Sequence, residues 1–231
     1  MKILVSWSSG KDSAWMLHTI RSEGIGTPAA LLTTVNEAAE RVAMHAVRMD
    51  VLEAQAAAAG LPLIVVRIPS PCPNDVYEQR MADACRAAVA DGFTHVAFGD
   101  LFLEDVRRYR EERLAGSGLT PLFPLWERPT DRLAREMIGG GLSARLTCVD
   151  PRVLPTAFAG RTFDAALLRD LPASVDPCGE RGEFHTCVTA GPMFSFPLSV
   201  TPGVVVERDG FVFADVCLSG VRPQSNRGQL P

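Results

Sequence analysis

The chain has 231 residues, of which 47% are hydrophobic and 22% are charged, and its formal net charge is −4. This ordinary composition excludes a fibrous or wholly disordered protein, and the length is sufficient for one large domain or two small ones. The weak negative charge and the lack of an apolar segment of roughly 20 residues argue against nucleic-acid and membrane partners. We therefore expect a cytoplasmic globular protein.

The first half of the chain alternates between strand-like and helix-like segments. The pattern predicts strands at 2–6, 30–35, 63–68 and 94–98, and helices at 13–23, 41–59 and 74–90. Strands that alternate with helices of this length form right-handed βαβ units around a parallel sheet. The fold class is therefore α/β with a Rossmann-like parallel sheet. In such sheets, ligands bind beyond the carboxyl ends of the strands.

The pattern changes after Gly118. A strand at 122–126 and a helix at 130–139 are followed by proline-rich, β-rich pieces at 145–149, 182–188, 204–207 and 211–216. This indicates a smaller C-terminal α+β domain. We predict an α/β domain over 1–128, the smaller domain over 129–220, and a disordered polar tail over 221–231.

The first predicted strand runs directly into a short polar loop before the first predicted helix. Such a turn leaves unpaired N–H groups at the helix start, which suit phosphate together with the helix dipole and a lysine. A merely capped helix start is the alternative. The glycine spacings of a Walker A loop and of a dinucleotide fingerprint are both missing. The candidate nucleotide-binding residues are Ser8, Ser9, Gly10, Lys11, Asp12 and Ser13.

A second dense stretch of polar residues runs from Asp176 to Thr186. Strand alternation predicts that Glu183 and His185 share one face, with Glu180 in the preceding turn. The neighbouring glycines would let the backbone approach a ligand closely. A polar hairpin with solvated charges is the alternative.

Several segments together resemble one family. Ser8–Ser13 resembles the Ser-Gly-Gly-Lys-Asp-Ser pyrophosphate loop of ATP pyrophosphatases, with Ser9 in place of the first glycine; this matters if that position needs a positive φ. With Gly99-Asp100-Leu101-Phe102, Gly179–Thr186 and Gly191-Pro192-Met193-Phe194, the chain resembles the diphthine–ammonia ligase family, also known as the DUF71 ATP-binding domain family. The resemblance runs from Lys2 to about Val216 and implies a PP-loop sheet of the HUP type.

The resemblance implies an ATP-dependent, amide-forming ligase. A substrate carboxylate attacks the α-phosphate of ATP, pyrophosphate leaves, and ammonia then displaces AMP from the acyl adenylate. Lys11 would stabilise charge on the leaving phosphates, and Asp12 and Asp100 are suited to hold Mg²⁺. Glu180, Glu183 and His185 would be catalytic, by orienting the carboxylate or by making neutral ammonia from ammonium. Further nucleotide contacts are expected from Thr34 and Gly99, which lie where strands of the sheet end, and from His45, which lies near the start of the second predicted helix.

Other functions stay open at this stage. The acid could be another carboxylate, such as a small-molecule or corrinoid-pathway acid, and the chain could bind or hydrolyse a nucleotide without ligase turnover. Adenylation of a tRNA base is disfavoured because the six cysteines include no Cys-x-x-Cys pair, which also argues against a zinc site. Arg107, Arg108 and Arg110 are expected on a solvated helix face. A homo-oligomer is left open.

Overall fold

The computed structural model describes residues 1–42 and 45–220. The N-terminal part contains β1 Lys2–Ser6, α1 Lys11–Ser22, β2 Thr27–Asn36, β3 Arg41–Val42, α2 Met49–Ala59, β4 Leu63–Ile68, α3 Asn74–Ala90, β5 His95–Ala97, α4 Glu104–Leu114 and β6 Thr120–Leu122. The C-terminal part contains α5 Thr130–Gly139, β7 Ser143–Val149, a 3₁₀ helix Thr156–Phe158, α6 Ala165–Asp170, β8 Phe184–Ala190, β9 Val200–Arg208 and β10 Phe211–Leu218. The predicted tail 221–231 lies outside the described residues.

The N-terminal strands form a sheet whose parallel members follow the order β4-β2-β1-β5-β6. The strand β1 is central because its apolar run Ile3, Leu4 and Val5 is fully buried, as expected of a strand covered on both faces. The short β3 adds to the end of β2 in the antiparallel direction. The predicted α/β class with a parallel sheet is confirmed.

The C-terminal strands form a separate antiparallel sheet with the order β8-β7-β10-β9. Its strands begin after α5, which covers the residues 130–139 that the sequence predicts. The C-terminal part is therefore the smaller α+β unit, and the boundary at 128 stays a prediction. Among the described residues, no helix combines the length and the apolar character that crossing a bilayer requires.

Two apolar clusters cover the two faces of the parallel sheet. Ile3 and Val5 of β1 belong to the cluster that also contains residues of α1, α2 and the antiparallel sheet. Leu4, which points to the opposite face, belongs to a smaller cluster on the side of α3 and α4. Along α3, which the structure describes completely, Ala88 alone is buried. The α3 side of the sheet is therefore more thinly covered than the side that faces the antiparallel sheet.

The helix predicted over 41–59 is wrong in its first half. Helix α2 begins only at Met49, and Arg41 and Val42 instead pair with the end of β2. The reversal is fixed by Asn36, whose Oδ1 accepts the N–H groups of Ala38 and Ala39 at 2.9 and 3.0 Å. An asparagine side chain that bonds the backbone two residues on favours a turn over a helix.

The strand predicted over 122–126 is also displaced. The strand β6 ends at Leu122, and the following residues turn back so that the Trp126 N–H donates to the Phe123 carbonyl at 3.1 Å. Pro124 lacks an N–H and so offers no donor for a further ladder hydrogen bond. The apolar character of this segment therefore serves packing after the strand has ended.

Candidate active site

The Ser8–Ser13 loop leaves the carboxyl end of β1 and enters α1 at Lys11. Its N–H groups are partly satisfied by hydroxyls: Ser8 donates to Ser13 Oγ at 3.3 Å, and Lys11 donates to Thr186 Oγ1 at 3.0 Å. The Gly10 N–H donates to Ser8 Oγ at 3.3 Å. The predicted anion site is therefore lined by hydroxyl groups as well as by a helix N-terminus.

Ser9 adopts the left-handed backbone conformation, with φ of 70°. Its side chain is fully buried, and its hydroxyl has no hydrogen-bond partner among the described residues. Its carbonyl accepts the Val188 N–H at 2.9 Å and Gln55 Nε2 at 3.1 Å. This position therefore favours glycine on both counts.

Replacing Ser9 with glycine is expected to raise the free energy of unfolding by about 1 kcal/mol. The change removes left-handed strain and an unsatisfied hydroxyl, and part of that gain is offset by the greater freedom of glycine in the unfolded chain. Urea unfolding measures the effect. Ser9→Ala removes only the hydroxyl and should gain less, and a loss of stability in Ser9→Gly would contradict the argument.

Lys11 ties the loop to the C-terminal part. Its side chain is 2% exposed, and its Nζ lies 2.9 and 2.8 Å from the two carboxylate oxygens of Asp12 and donates to the Cys178 carbonyl. Burial alone would lower the pKa of Lys11, but the adjacent Asp12 carboxylate, together with Cys178 and Glu180, outweighs burial and raises that pKa. The ammonium is therefore charged and held in place.

Two carboxylates brace the turn over 176–183. Asp176 Oδ1 accepts the Cys178 N–H at 2.9 Å, and Glu183 accepts the N–H groups of Asp176 and Arg181 at 3.0 and 2.9 Å. Glu183 is buried, and its side chain does not line the cavity described below. These contacts give Glu183 a role in shaping the turn, and its predicted catalytic role stays a prediction.

The predicted shared strand face of Glu183 and His185 is not observed. The strand β8 begins at Phe184, and the Glu183 side chain accepts N–H groups of the preceding turn. Phe184, His185 and Thr186 instead all line the cavity.

Glu180 projects from this turn toward the end of β5. Its Oε1 accepts the Leu101 N–H at 2.8 Å, and its side chain lines the cavity. Burial, reinforced by the nearby negative charge of Asp12, raises the pKa of Glu180 to about 7. A carboxyl group that exchanges its proton near neutral pH is suited to general acid–base chemistry.

His45 and His185 form a pair beside the loop. Their ring centroids are 4.6 Å apart, and His45 Nδ1 lies 3.1 Å from the Thr186 carbonyl oxygen. Burial lowers the pKa of His45 to about 4 and that of His185 to about 3, so both rings are neutral at pH 7. A Cβ at Gly10 would lie 2.7 Å from His45 Cε1, so only glycine leaves room for this ring.

His45 lies in a loop that an aspartate of the antiparallel sheet holds. Asp215 of β10 accepts from Arg41 Nη1 at 2.8 Å and from Arg48 Nε at 2.9 Å, so it bonds both ends of the loop. Arg41 also donates to the Ala46 carbonyl at 2.6 Å.

Asp100 follows β5 and is paired with an arginine. Arg110 Nε and Nη2 lie 2.5 and 3.2 Å from its two oxygens, and the Arg110 guanidinium stacks 4.4 Å from the Phe98 ring centroid. Arg110 also lines the cavity. The expectation of a solvated arginine is therefore wrong at this position.

One cavity of about 1040 Å³ connects these groups. Of the sequence-predicted site residues, those that line it are Ser8, Lys11, Asp12, Ser13, Thr34, His45, Gly99, Asp100, Glu180 and His185. Those that do not line it are Ser9, Gly10 and Glu183. A Cβ at Gly99 would lie 3.0 Å from the Asp12 carbonyl carbon, so a side chain there would press on the start of α1.

The donor set for Mg²⁺ is sparse. Among the described residues, no three His, Cys, Asp or Glu side chains are grouped so that they could hold a metal ion. Asp12 and Asp100 line the same cavity, each already paired with a basic side chain. Since Mg²⁺ commonly takes one or two carboxylates and completes its shell with phosphates and water, the residues fit an ion that arrives with a nucleotide.

Sequence reasoning missed Gln55. It is fully buried on α2, accepts from Trp7 Nε1 at 3.0 Å, and donates to the Ser9 and Val188 carbonyls at 3.1 and 2.7 Å. It thus fixes the loop against β8. The signal was a single amide side chain within an alanine-rich apolar helix, where an unpaired amide would be costly.

Comparisons with known proteins identify the family of the chain. The family model described as the diphthamide synthase N-terminal domain matches residues 1–119, and the model of the diphthamide synthase C-terminal domain matches residues 129–215. The human diphthine–ammonia ligase is 33% identical over 120 residues, which cover 49% of this chain and 45% of that protein. The proteins of the same name from Schizosaccharomyces pombe and Rattus norvegicus are each 30% identical, over 46% and 56% of this chain. The chain spans about half or less of the length of these relatives, with 18% of the S. pombe protein and 52% of the rat protein covered. The chain belongs to the diphthamide synthase family.

Proposed function

We propose that the chain is an ATP-dependent ligase that adenylates a carboxylic acid and forms an amide with ammonia. Its relatives are named as ligases that join ammonia to diphthine. The observation that carries the proposal is that the β1–α1 loop and the turn over 176–183 both contribute side chains to one cavity. Lys11 and Asp12 of the β1–α1 loop lie there beside Glu180 of the C-terminal turn. A nucleotide-binding protein without chemistry has no need of an acid–base carboxyl group at that place.

The loop end of the cavity suits the phosphates. The N-terminus of α1, the Lys11 ammonium and the hydroxyls of Ser8 and Ser13 supply positive potential and donors there. Thr34 lines the cavity at the end of β2, where we place the adenine side. The neutral rings of His45 and His185 contribute hydrogen bonding and shape rather than charge.

The proposed reaction has two steps. An oxygen of the substrate carboxylate attacks the α-phosphorus, the bond to the β-phosphate oxygen breaks, and pyrophosphate leaves. The ammonia nitrogen then attacks the acyl carbon, the bond between that carbon and the phosphate oxygen breaks, and AMP leaves. The nitrogen releases one proton to the solvent as the amide forms. The ammonium of Lys11 opposes the charge that builds up on the leaving phosphates.

Glu180 is the group that we propose to move the proton. Ammonium is not a nucleophile, so one proton has to leave it before attack. An ionised Glu180, with its pKa near 7, accepts that proton inside a partly buried site. Asp12 and Asp100 are the residues that would hold Mg²⁺, and a bound ion would neutralise phosphate charge.

The products test this proposal. We expect protein, ATP, magnesium, ammonium and a panel of carboxylic acids that includes diphthine-containing peptide to release AMP and pyrophosphate in equal amounts, in an acid-dependent manner. Chromatography of the nucleotides and a pyrophosphate assay measure both. ADP and orthophosphate as products would contradict α-phosphate chemistry, and ATP binding without acid-dependent turnover would favour a nucleotide-binding role.

A further inference from the structure

The cavity extends well beyond the groups that face the phosphates. It continues between α3 and α4, where it is lined by Tyr77, Met81, Cys85, Phe98 and Leu114, and we name this part the α3–α4 groove. Tyr77 and Arg86 both line the cavity, and Arg86 lies nine positions after Tyr77 on the helix, which corresponds to a length of about 14 Å. The groove exists because α3 buries little of its surface against the sheet.

The groove has an apolar floor and paired charges along its rim. Its floor includes Leu32 and Val96 of the parallel sheet. Glu78 of α3 and Arg113 of α4 form a two-pronged ion pair, with distances of 2.6 and 3.0 Å, that joins the two walls on the solvent side.

The other charged side chains near the groove also have partners or a stabilising position. Arg86 is paired with Asp83, and Arg110 is paired with Asp100. Asp75 lies in the first turn of α3, where the helix dipole stabilises a negative charge. A ligand with a charged tail therefore finds little to recognise in this part of the described structure, whereas an apolar chain finds contact surface.

Arg110 connects the groove to the reactive end. Its guanidinium lies over Phe98, which belongs to the groove, and its hydrogen bonds go to Asp100, which lines the cavity together with Glu180. A molecule whose carboxylate lies near Glu180 can therefore place its body in the groove.

We propose that the α3–α4 groove binds the body of the acid substrate, and that this acid is a small molecule with an extended apolar chain. The inference rests on the proposed ligase function and specifies its substrate class. The Glu78–Arg113 bridge, which ties α3 to α4 along the groove, favours a small chain-like acid over a folded protein loop.

Binding of saturated monocarboxylic acids tests the proposal without requiring turnover. With an ATP analogue present, calorimetry should show affinity rising about three- to fourfold per added methylene from acetate to octanoate. Cys85→Trp fills the groove and should abolish this rise while leaving the affinity for the ATP analogue unchanged. Met81→Trp should do the same from a second position. Ala87→Trp, on the exposed side of α3, is the matched control and should behave as the parent protein.

The other outcomes overturn the inference in distinguishable ways. A chain-length series without any gain in affinity would exclude an apolar acid site, even if the protein releases AMP and pyrophosphate with some other acid. A loss of affinity for the ATP analogue in Cys85→Trp, with Ala87→Trp unaffected, would assign the groove to the nucleotide. If acids bind with the expected series but no pyrophosphate forms with any acid, the groove stands and the ligase function fails.

Discussion

Glu180→Gln is expected to lower amide formation by about 100-fold or more while leaving ATP affinity nearly unchanged. Glutamine keeps the shape and can still accept the Leu101 N–H, but it cannot take a proton from ammonium. Pyrophosphate release, amide formation and calorimetric ATP binding separate the two effects. Glu111→Gln, an exposed position on α4, is the matched control and should be neutral.

The pH profile provides a second measure of the same group. Because the pKa of Glu180 is raised to about 7, its carboxyl is protonated and inactive as a base below that pH. With the enzyme saturated with ammonium, the species that Glu180 deprotonates, amide formation should therefore rise tenfold per pH unit below about 7 and level off above it. Glu180→Gln should lack this rise. A parent enzyme whose rate is flat between pH 5 and 8 would contradict the assignment.

Lys11→Met is expected to cost about 3 kcal/mol of unfolding free energy and to abolish measurable ATP binding. Removing the ammonium leaves the Asp12 carboxylate without its partner and the Cys178 carbonyl without its donor in a buried setting. Urea unfolding and calorimetry measure the two losses. Lys2→Met, at the other lysine of the chain, is the control, since Lys2 is exposed and donates to the Asp91 carbonyl.

A double variant separates the effect of Lys11 on stability from its effect on ATP binding. Lys11→Met with Asp12→Asn removes both charges, so stability should recover in part while ATP binding stays lost. If Lys11→Met alone keeps full ATP affinity, the phosphates bind elsewhere. If it keeps full stability, the buried ion pair contributes nothing to the fold.

The sequence was most informative where local pattern and burial coincide. The apolar run Ile3–Val5, followed by a polar turn, predicts both the central strand and the loop at its end, since a buried strand and a helix start need those residue types. The helix at 130–139 was equally clear from its periodicity. These features depend on neighbouring residues alone.

The sequence was least informative where a side chain's role depends on a distant partner. Arg110 cannot be told from Arg107 or Arg108 by local charge, because only the fold brings Asp100 and Phe98 to it. Glu183 and Glu180 are likewise equivalent in composition. Which of the two faces the cavity is decided by backbone hydrogen bonds within the turn.

The loop around His45 was mispredicted for the same reason. Its conformation depends on pairing with β2 and on Asp215, which lies 174 residues beyond Arg41 in sequence. Long-range contacts of this kind produce no hydrophobic periodicity in the segment whose conformation they determine. Gln55 left a trace, a lone amide in an alanine-rich helix, but not the identity of its partners.

The Asp215 contacts also set an order of events during synthesis. The β1–α1 loop leaves the ribosome early. The arginines that flank His45 can bond Asp215 only after β10 has been synthesised. The Lys11 N–H can bond Thr186 only after a further 175 residues have been added. Contacts this far apart in sequence form late and slowly in folding. A nascent chain that has emerged only as far as α5 therefore carries the phosphate loop without its histidine pair, its acid–base carboxyl or its bracing hydroxyl. The proposed active site is therefore complete only after β10, the last of the described strands, has been synthesised.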